Sequence, residues 1–196
     1  MDPSNILVAG VGGIGCAWAH RAHEKCQGSA HLVLIDADDA SFKTGEDVHV
    51  LRLGHALDSV GCAALPPLAE QRMRGLNTLT NRLLETTELV ILLTGLGGGV
   101  GTGAAHEFAR QARQSGAVVL AVAALPFERQ TTRMDIAVEG LERLEATAHV
   151  TVRLSLDRLA RQAREKGQLW QMGAEWIEDL VDGLVRTLMR MGLINL

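Results

Sequence analysis

The sequence predicts an α/β fold: a doubly wound, mainly parallel sheet that ends in a long helix. Short apolar strands alternate with amphipathic helices, two of the strands run directly into glycine-rich segments, and the last part of the chain keeps an apolar stripe at helical spacing. Alternation of this kind is typical of a parallel sheet with helices on both faces. Ligands of such sheets gather at the carboxyl ends of the strands, so we expect the binding site there.

The predicted strands are short, and most of them are apolar, as expected for strands that are buried on both faces. In chain order they are residues 6–9, 31–35, 48–51, 88–93, 117–123 and 149–154. The predicted helices carry apolar or small residues at helical spacing. The first runs from the end of the first glycine-rich segment to about residue 25, and the others cover residues 68–85, 104–115, 132–146, 156–165 and 169–191.

Composition excludes several classes of function. The net charge of −4 argues against a nucleic-acid partner, which requires a basic face. The sequence lacks an apolar run of about 18 residues, the length that a membrane span requires. Its start lacks the features of a signal peptide, and its three cysteines have no motif spacing, so we expect a cytoplasmic protein.

The stretch from Thr94 to Ala105 organises the rest of the chain. Five glycines lie between Gly97 and Gly103, after an apolar strand and before a helix; we call residues 97–103 the second glycine segment. Backbone N–H groups without side chains in the way, next to the positive end of a helix dipole, form a phosphate-binding site. The alternative is a flexible linker, which is rarely bracketed by a buried strand and an amphipathic helix.

Residues 10–15, the first glycine segment, have the pattern Gly-x-Gly-x-x-Gly directly after the first strand. The second strand ends in Asp36 and is followed by Asp38, about 20 positions beyond the glycines. Taken alone, this arrangement matches the dinucleotide-binding fingerprint. Several nucleotide-binding folds share that pattern, so it does not identify the nucleotide.

Two glycine segments in one sheet exceed what a dinucleotide fold needs, and together they resemble the GTP-binding domain of the FtsZ/tubulin family. Residues 97–103 match the family signature GGG-T-G-[ST]-G except at Val100, and residues 10–15 match its first glycine loop. Residues 61–66, 126–144 and 192–195 are also similar to family motifs. The resemblance covers nearly the whole chain.

The resemblance implies a guanine nucleotide ligand, GTP or GDP, with or without Mg²⁺. The implied nucleotide-binding residues are Gly12, Gly13, Ile14, Gly15, Cys16, Ala17, Asp38, Gly98, Gly99, Val100, Gly101, Thr102, Gly103, Glu128, Arg133 and Glu175. Thr102 is expected to donate its hydroxyl to a phosphate, and Glu175 to accept hydrogen bonds from guanine. Residues 1–168 would form the nucleotide-binding domain, with residues 169–196 as the central helix packed on it.

The sequence departs from the family at polar positions. Ala17, Leu65 and Leu156 replace asparagines, while Cys62 and Ala63 stand in the loop expected at the γ-phosphate. Each lost polar contact would cost about 1 kcal/mol of affinity, which weakens guanine specificity. The family's catalytic acidic residues would follow Leu196, so we expect no catalytic residue. Because a fragment of a working family member should keep these polar residues, the substitutions favour a naturally minimal homologue over a fragment.

Three hypotheses for function follow. The first is a GTP-binding protein without hydrolysis of its own, which contacts full-length FtsZ filaments or a second copy of itself in cell division or cytoskeletal organisation. The second is a GTPase that is active only in co-polymers whose partner supplies the acidic residues. The third, an ATP-binding adenylyltransferase of the ubiquitin-activating type, rests on residues 8–15 and 34–38 and leaves residues 97–103 unexplained.

A metal site is also conceivable, because Cys16, His20 and His23 share one face of the first helix. A fourth ligand is not evident, so no metal site is expected.

Overall fold

The computed structural model describes residues 5–26, 29–42, 48–54, 62 and 65–194. The strands in this part of the chain are β1 (Ile6–Val11), β2 (His31–Asp36), β3 (Val48–Arg52), β4 (Leu89–Gly95), β5 (Val118–Leu125) and β6 (Val150–Ser155). The helices are α1 (Gly12–Cys26), α2 (Pro66–Gly75), α3 (Asn77–Leu84), α4 (Gly99–Gln114), α5 (Thr131–Thr147), α6 (Leu156–Gln162) and α7 (Lys166–Ile194). A short 3-10 helix, Asp39–Ser41, follows β2.

The strands form one six-stranded sheet in the order β3-β2-β1-β4-β5-β6, and every neighbouring pair is parallel. The predicted doubly wound parallel sheet that ends in a long helix is therefore confirmed. The strand order changes direction beside β1, which lies between β2 and β4, and Val11 at the end of β1 pairs with Thr94 of β4. A crevice at the carboxyl ends of the strands forms at such a switch point.

Helices cover both faces of the sheet. Helices α2 to α5 pack on one face, and α1, α6 and α7 pack on the other. Adjacent residues of one strand face opposite helical layers. Leu7 of β1 packs in the layer with α2 to α5, whereas Ile6 and Val8 pack in the layer with α1, α6 and α7. The core is mostly aliphatic, with Phe108 of α4 as its largest fully buried side chain.

Several helices differ in extent from the prediction. Helix α4 begins at Gly99 and not at residue 104, and the predicted helix over residues 68–85 is two helices that part at Leu76. Glycine has a low helix propensity, so the glycine segments were predicted as loops. In the structure, residues 12–15 and 99–103 of these segments are helical and pack closely against the end of β4 or against α2. Helix α6 ends at Gln162 and α7 begins at Lys166, while the proposed division at residue 168 stays a prediction.

Helix α7 is held on α1 by apolar packing and by ion pairs. Ile177, Val181 and Val185 are fully buried in the layer that α7 forms with α1 and α6. At the rim of this contact, Arg21 Nε lies 2.6 Å from Glu178 Oε1, and Lys25 Nζ lies 2.5 Å from Asp179 Oδ1. Because these ion pairs are largely exposed and exposed pairs contribute little, apolar packing is the main interaction that holds α7 in place.

The three cysteines are buried and form no disulfide. Burial raises the pKa of the Cys16 thiol to about 12 and that of the Cys26 thiol to about 11. Burial also raises the pKa of Cys62, against the lowering effect of the nearby Arg72 guanidinium. All three side chains are therefore neutral thiols at neutral pH.

Within the described residues, no helix combines the length and the apolar character that a membrane crossing requires.

Candidate nucleotide site

The two glycine segments meet at the carboxyl ends of β1 and β4. Helix α1 begins at Gly12, directly after β1, and Gly101 lies in the first turn of α4. A Cβ atom on Gly12 would lie only 3.1 Å from the Gly101 nitrogen, so the two main chains are in contact. Because β1 and β4 are parallel, the positive ends of both helix dipoles lie at the same edge of the sheet.

Glycine is required here by close approach between helix and strand. A Cβ on Gly15 would lie 2.3 Å from the Leu93 carbonyl oxygen, and one on Gly101 would lie 2.1 Å from the Gly95 carbonyl oxygen. Atoms at such distances overlap, so a side chain at either position would push its helix off the end of β4. These glycines serve rigid packing, which a flexible linker would not require.

Other parts of the two segments face open space. A Cβ on Gly98 would meet no atom within 4 Å, and Gly13, Ile14 and, just beyond the first segment, Ala17 are exposed or half-buried. Gly98 is the N-cap of α4 and gives the helix no side-chain cap. The first turns of α1 and α4 also lack acidic residues. The first N–H groups of α4 therefore have no side-chain acceptor at the N-cap, which suits an anionic ligand.

The remaining residues of the second glycine segment are buried. Gly99, Val100 and Gly103 face the interior, and a Cβ on Gly103 would lie 1.9 Å from the Pro66 carbonyl oxygen of α2. Thr102 is also buried, and its hydroxyl oxygen accepts the N–H of Gly97 at 2.9 Å. That bond closes the turn between β4 and α4. The expected contact of the Thr102 hydroxyl with a phosphate stays a prediction.

The Cys16 side chain is directed into the sheet. Its sulfur lies 3.4 Å from the Gly10 carbonyl oxygen and 3.6 Å from the Ile35 carbonyl oxygen, so the single thiol hydrogen is shared between them. Nearby, His23 Nε2 lies 3.0 Å from the Ala30 carbonyl, and His20 Nδ1 lies 3.5 Å from a Glu24 oxygen. Across the described residues, no group of three or more His, Cys, Asp or Glu side chains is arranged to hold a metal ion.

Two of the more distant predicted residues adjoin the glycine segments. The Arg133 carbonyl oxygen would lie 2.7 Å from a Cβ on Gly97, so the start of α5 touches the second glycine segment. Asp38 caps the 3-10 helix by accepting the N–H of Ala40 at 3.0 Å. Ser41 of that helix lies 3.9 Å from the Cβ position of Gly13, which brings the loop after β2 to the first glycine segment.

Glu128 and Glu175 are exposed at other points. Glu128 donates its backbone N–H to the Asp157 carboxylate at 2.9 Å. The Glu175 carboxylate accepts a hydrogen bond from Gln171 at 2.8 Å on the surface of α7. No contact given by the structure joins Glu175 to either glycine segment, and its role as a base-reading residue stays a prediction.

A cavity of about 680 Å³ adjoins Glu128 at the carboxyl ends of β5 and β6. Its lining residues are Phe127, Glu128, Arg129, Asp157, Ala160, Ala163, Arg164, Glu165, Leu169 and Trp170. Its volume lies in the range of ordinary small-molecule sites. Apart from Glu128, sequence reasoning missed this cavity, because its walls come from three stretches that no single motif connects.

Sequence reasoning also missed Thr94 as a structural residue of the site. Its side chain is completely buried between the two glycine segments. The Thr94 hydroxyl lies 3.2 Å from the Val11 carbonyl oxygen and 3.0 Å from that of Gly101. The available signal was a polar residue at the end of an otherwise apolar strand.

Behind the second glycine segment lies a cluster of charged residues that joins α2, α4 and α5. We call it the α2–α4–α5 charge cluster; its members are Glu70, Arg74, His106, Glu107, Arg110 and Arg143. Glu70 pairs with Arg74 and, at 2.7 Å, with Arg143, and Glu107 pairs with Arg110 at 2.5 Å. The two carboxylates are buried, and charges buried in this way must be paired to be tolerated, whereas the arginine side chains remain partly exposed.

The pKa values in this cluster follow from burial and pairing. Burial alone would raise the pKa of Glu107, but hydrogen bonds from Arg110 and Gln111 outweigh burial and hold the pKa below its ordinary value. Burial lowers the pKa of His106, although its Nδ1 lies 3.3 Å from the Thr102 carbonyl and its Nε2 lies 3.5 Å from Glu70. His106 is therefore neutral at neutral pH and links the cluster to the second glycine segment.

The sheet order and the two touching helix starts define a doubly wound α/β protein with a crevice at its switch point. Its relatives agree with that class. The model of the Tubulin/FtsZ family, GTPase domain, matches residues 5–164. The chain belongs to the Tubulin/FtsZ family.

Curated relatives match over nearly the full chain. Cell division protein FtsZ of Haloferax mediterranei is 30% identical over 197 residues, which cover 98% of this chain and 52% of that protein. Cell division protein FtsZ 1 of Archaeoglobus fulgidus is 30% identical over 195 residues, which cover 97% of this chain and 53% of that protein. The chain thus spans about half the length of the curated relatives it matches.

Solved structures are similar in fold. An empty FtsZ dimer from M. jannaschii superposes with a TM-score of 0.81 at 28% identity, covering 93% of this chain and 54% of that one. CetZ2 from Haloferax volcanii, a GTPγS-bound protofilament, superposes with a TM-score of 0.80 at 18% identity, covering 92% and 58%. The second likeness concerns the fold alone.

Proposed function

We propose that this chain binds a guanine nucleotide, GTP or GDP, at the two glycine segments and acts through protein contacts. Its partners would be FtsZ-type filaments or a second copy of the chain, in cell division or cytoskeletal organisation. The observation that carries the proposal is the contact of the two helix starts at the switch point, where Gly12 meets Gly101. We place the protein in the cytoplasm.

In this proposal the phosphates lie against main-chain N–H groups. Residues 12–17 of α1 would face them from one side, and residues 98–103 of α4 from the other. The open space at Gly98 and the missing side-chain cap support a ligand at this end of α4. Arg133, whose backbone touches Gly97, would add positive charge near the phosphates.

The ribose and base would extend away from the helix starts. Glu128 would bind the ribose, and the cavity beside it offers room for further parts of the nucleotide. Asp38 and Glu175 would make the remaining polar contacts, with Glu175 toward guanine. Mg²⁺ would accompany the triphosphate through phosphate oxygens and water, the ligands that this ion prefers.

Chromatography of the denatured protein tests the proposal directly. We expect guanine nucleotide to be retained in a ratio near one per chain, and almost no phosphate to be released by the chain alone. Titration with GDP and with ADP then compares the affinities of the chain for guanine and adenine nucleotides. Preferential binding of adenine nucleotide would support the adenylyltransferase hypothesis, and rapid phosphate release would contradict a protein that lacks hydrolysis of its own.

Gly98→Asp should weaken GDP binding at least tenfold, because a carboxylate at the N-cap repels phosphate and takes up the helix N–H groups. The backbone at Gly98 has φ −114°, which any residue adopts, and space is available for a side chain. Folding should therefore be preserved. Gly98→Ala, which fits the same space without charge, is the matched control and should stay within about threefold of the original affinity.

Equal GDP affinity of the Gly98→Asp and Gly98→Ala variants would show that phosphate does not bind at the start of α4. Isothermal titration calorimetry gives both affinities, and urea unfolding verifies that both variants fold.

A further inference from the structure

Thr94 stands at the point where three main-chain segments meet. It lies near the carboxyl end of β4 and is completely buried. Its hydroxyl is 3.2 Å from the carbonyl oxygen of Val11, the last residue of β1, and 3.0 Å from that of Gly101 in the first turn of α4. A hydroxyl carries one hydrogen, so this hydrogen is shared between the two carbonyl groups.

The two acceptors belong to the two segments that form the candidate site. Val11 leads directly into Gly12 and α1, whereas Gly101 belongs to α4. Both helices also lie close to Thr94. A Cβ on Gly15 of α1 would lie 3.1 Å from Thr94 Cα. A Cβ on Gly101 would lie 3.0 Å from the Thr94 hydroxyl oxygen. Glycine permits this approach, and among the residues that the structure describes the Thr94 hydroxyl is the one side-chain group that bonds to both segments.

We propose that Thr94 is a positioning residue, which sets the spacing of the two helix starts to that of a bound polyphosphate. This inference rests on the proposed function for the identity of the ligand. The phosphate contacts themselves would be made by main-chain groups, which substitution cannot remove. In this proposal, the Thr94 side chain therefore determines how the main-chain N–H groups of the two glycine segments are placed around the phosphates.

Thr94→Val removes the donor and keeps the shape of the side chain. It also sets a methyl group against two carbonyl oxygens at a distance suited to a hydrogen bond, which pushes the segments apart. We expect GDP affinity to fall about tenfold, the effect of losing one well-placed buried hydrogen bond. Thr94→Ser keeps the hydroxyl and should restore affinity to within about threefold of the original.

Amide hydrogen exchange in nucleotide-free protein provides a second readout that does not depend on a ligand. In Thr94→Val, amides of residues 12–15 and 98–101 should exchange about tenfold faster than in the original chain, because their local opening becomes easier. In Thr94→Ser they should exchange at nearly the original rate. Amides of β5 and α5 should change little in either variant.

Thr80→Val is the matched control for the loss of a buried hydroxyl. Thr80 is also completely buried, and its hydroxyl donates to the Leu76 carbonyl at 3.0 Å within the α2–α3 region. This substitution should lower stability by a similar amount while GDP affinity and exchange in both glycine segments stay unchanged. A drop in affinity caused by general destabilisation would instead appear in both variants.

The outcomes separate the two proposals. If the original chain binds GDP and Thr94→Val binds it equally well with unchanged exchange, the positioning role of Thr94 is overturned. If the original chain binds no GDP, the proposed function fails, and the exchange comparison alone decides the role of Thr94. Should Thr94→Val not fold, Thr94→Ala removes the same hydrogen bond without crowding, and unchanged exchange in that variant would overturn the inference.

Discussion

At the scale of single residues, the glycines of the candidate site fall into two groups with opposite surroundings. Gly15 and Gly101 are pressed against carbonyl oxygens of β4, whereas Gly13 and Gly98 face open space. The first pair is required for helices to approach the sheet. The second pair leaves main-chain groups accessible, which is what a phosphate site requires. Each glycine segment therefore combines a packing role with the binding role that we propose.

The packing role predicts different costs for two similar substitutions in α1. Gly15→Ala should destabilise the fold by about 3 kcal/mol or more, because its Cβ would meet the Leu93 carbonyl oxygen at 2.3 Å. Gly13→Ala should change stability by less than about 1 kcal/mol, since its Cβ meets only Ser41 at 3.9 Å and alanine favours the helix. Urea unfolding measures both, and equal costs would contradict the close approach of α1 to β4.

At the scale of secondary structure, the strands were easier to predict than the helix starts. Six short runs predicted six strands. The inner strands β1, β2, β4 and β5 are largely buried on both faces, which leaves a nearly continuous hydrophobic signal, whereas the edge strands β3 and β6 are mostly exposed or half-buried. The start of α4 at Gly99 was missed, since glycine normally disfavours helices and the contacts that require it lie far away in sequence. Helix propensity depends on the residue itself, whereas the start of α4 depends on its packing against the end of β4.

The interactions that join elements were not predictable from spacing. Glu70, Glu107 and Arg143 belong to three different helices, and each alone resembles an ordinary surface charge in the sequence. The role of Thr94 was equally unpredictable from the sequence, because its two hydrogen-bond acceptors come from β1 and α4. The glycine segments, by contrast, were found from the sequence, because their composition is unusual within a short window.

The α2–α4–α5 charge cluster predicts a loss of stability in acid. The pKa of Glu107 is lower in the folded chain than its ordinary value of 4.5, so its stabilising contribution is complete above pH 4.5. That contribution is lost as the pH falls below 4.5 and through the folded pKa, because protonation breaks the pairs with Arg110 and Arg74. Urea unfolding at pH 7 and below pH 4.5 should show this loss.

Glu107→Gln should remove the part of that acid dependence that Glu107 contributes and lower stability at pH 7 by about 1–2 kcal/mol, since it weakens the hydrogen bonds that the partly exposed guanidinium groups of Arg74 and Arg110 donate to a buried carboxylate. Glu70, whose pKa is also lowered, keeps its own part. Glu139→Gln is the control, because Glu139 is exposed on α5 and should leave both quantities nearly unchanged. If Glu107→Gln keeps the acid dependence of the original chain at full size, another group causes it.

At the scale of the whole molecule, both helical layers depend on the same sheet. Each inner strand is covered on both faces, so removing one layer would expose apolar residues that the other layer cannot cover. We therefore expect the two layers to unfold together in a single cooperative transition. The positions of the tryptophans make this expectation testable.

All three tryptophans lie in α1 and α7, on one side of the sheet: Trp18, Trp170 and Trp176. Met73 is completely buried in α2, on the other side. Met73→Ala should cost about 2–5 kcal/mol and shift the urea midpoint equally when followed by tryptophan fluorescence and by far-UV circular dichroism.

The exposed Val138→Ala is the control for this experiment and should move neither midpoint appreciably. A fluorescence midpoint that stays in place while the circular dichroism midpoint falls would mean that the two layers unfold independently.

Burial of every native thiol has a practical consequence for labelling. Maleimides attack the thiolate, and burial keeps Cys16, Cys26 and Cys62 both inaccessible and protonated at neutral pH. A cysteine introduced at an exposed position such as Glu139 would therefore react selectively. A single fluorophore can then be attached to the otherwise unaltered chain, without first replacing the native cysteines.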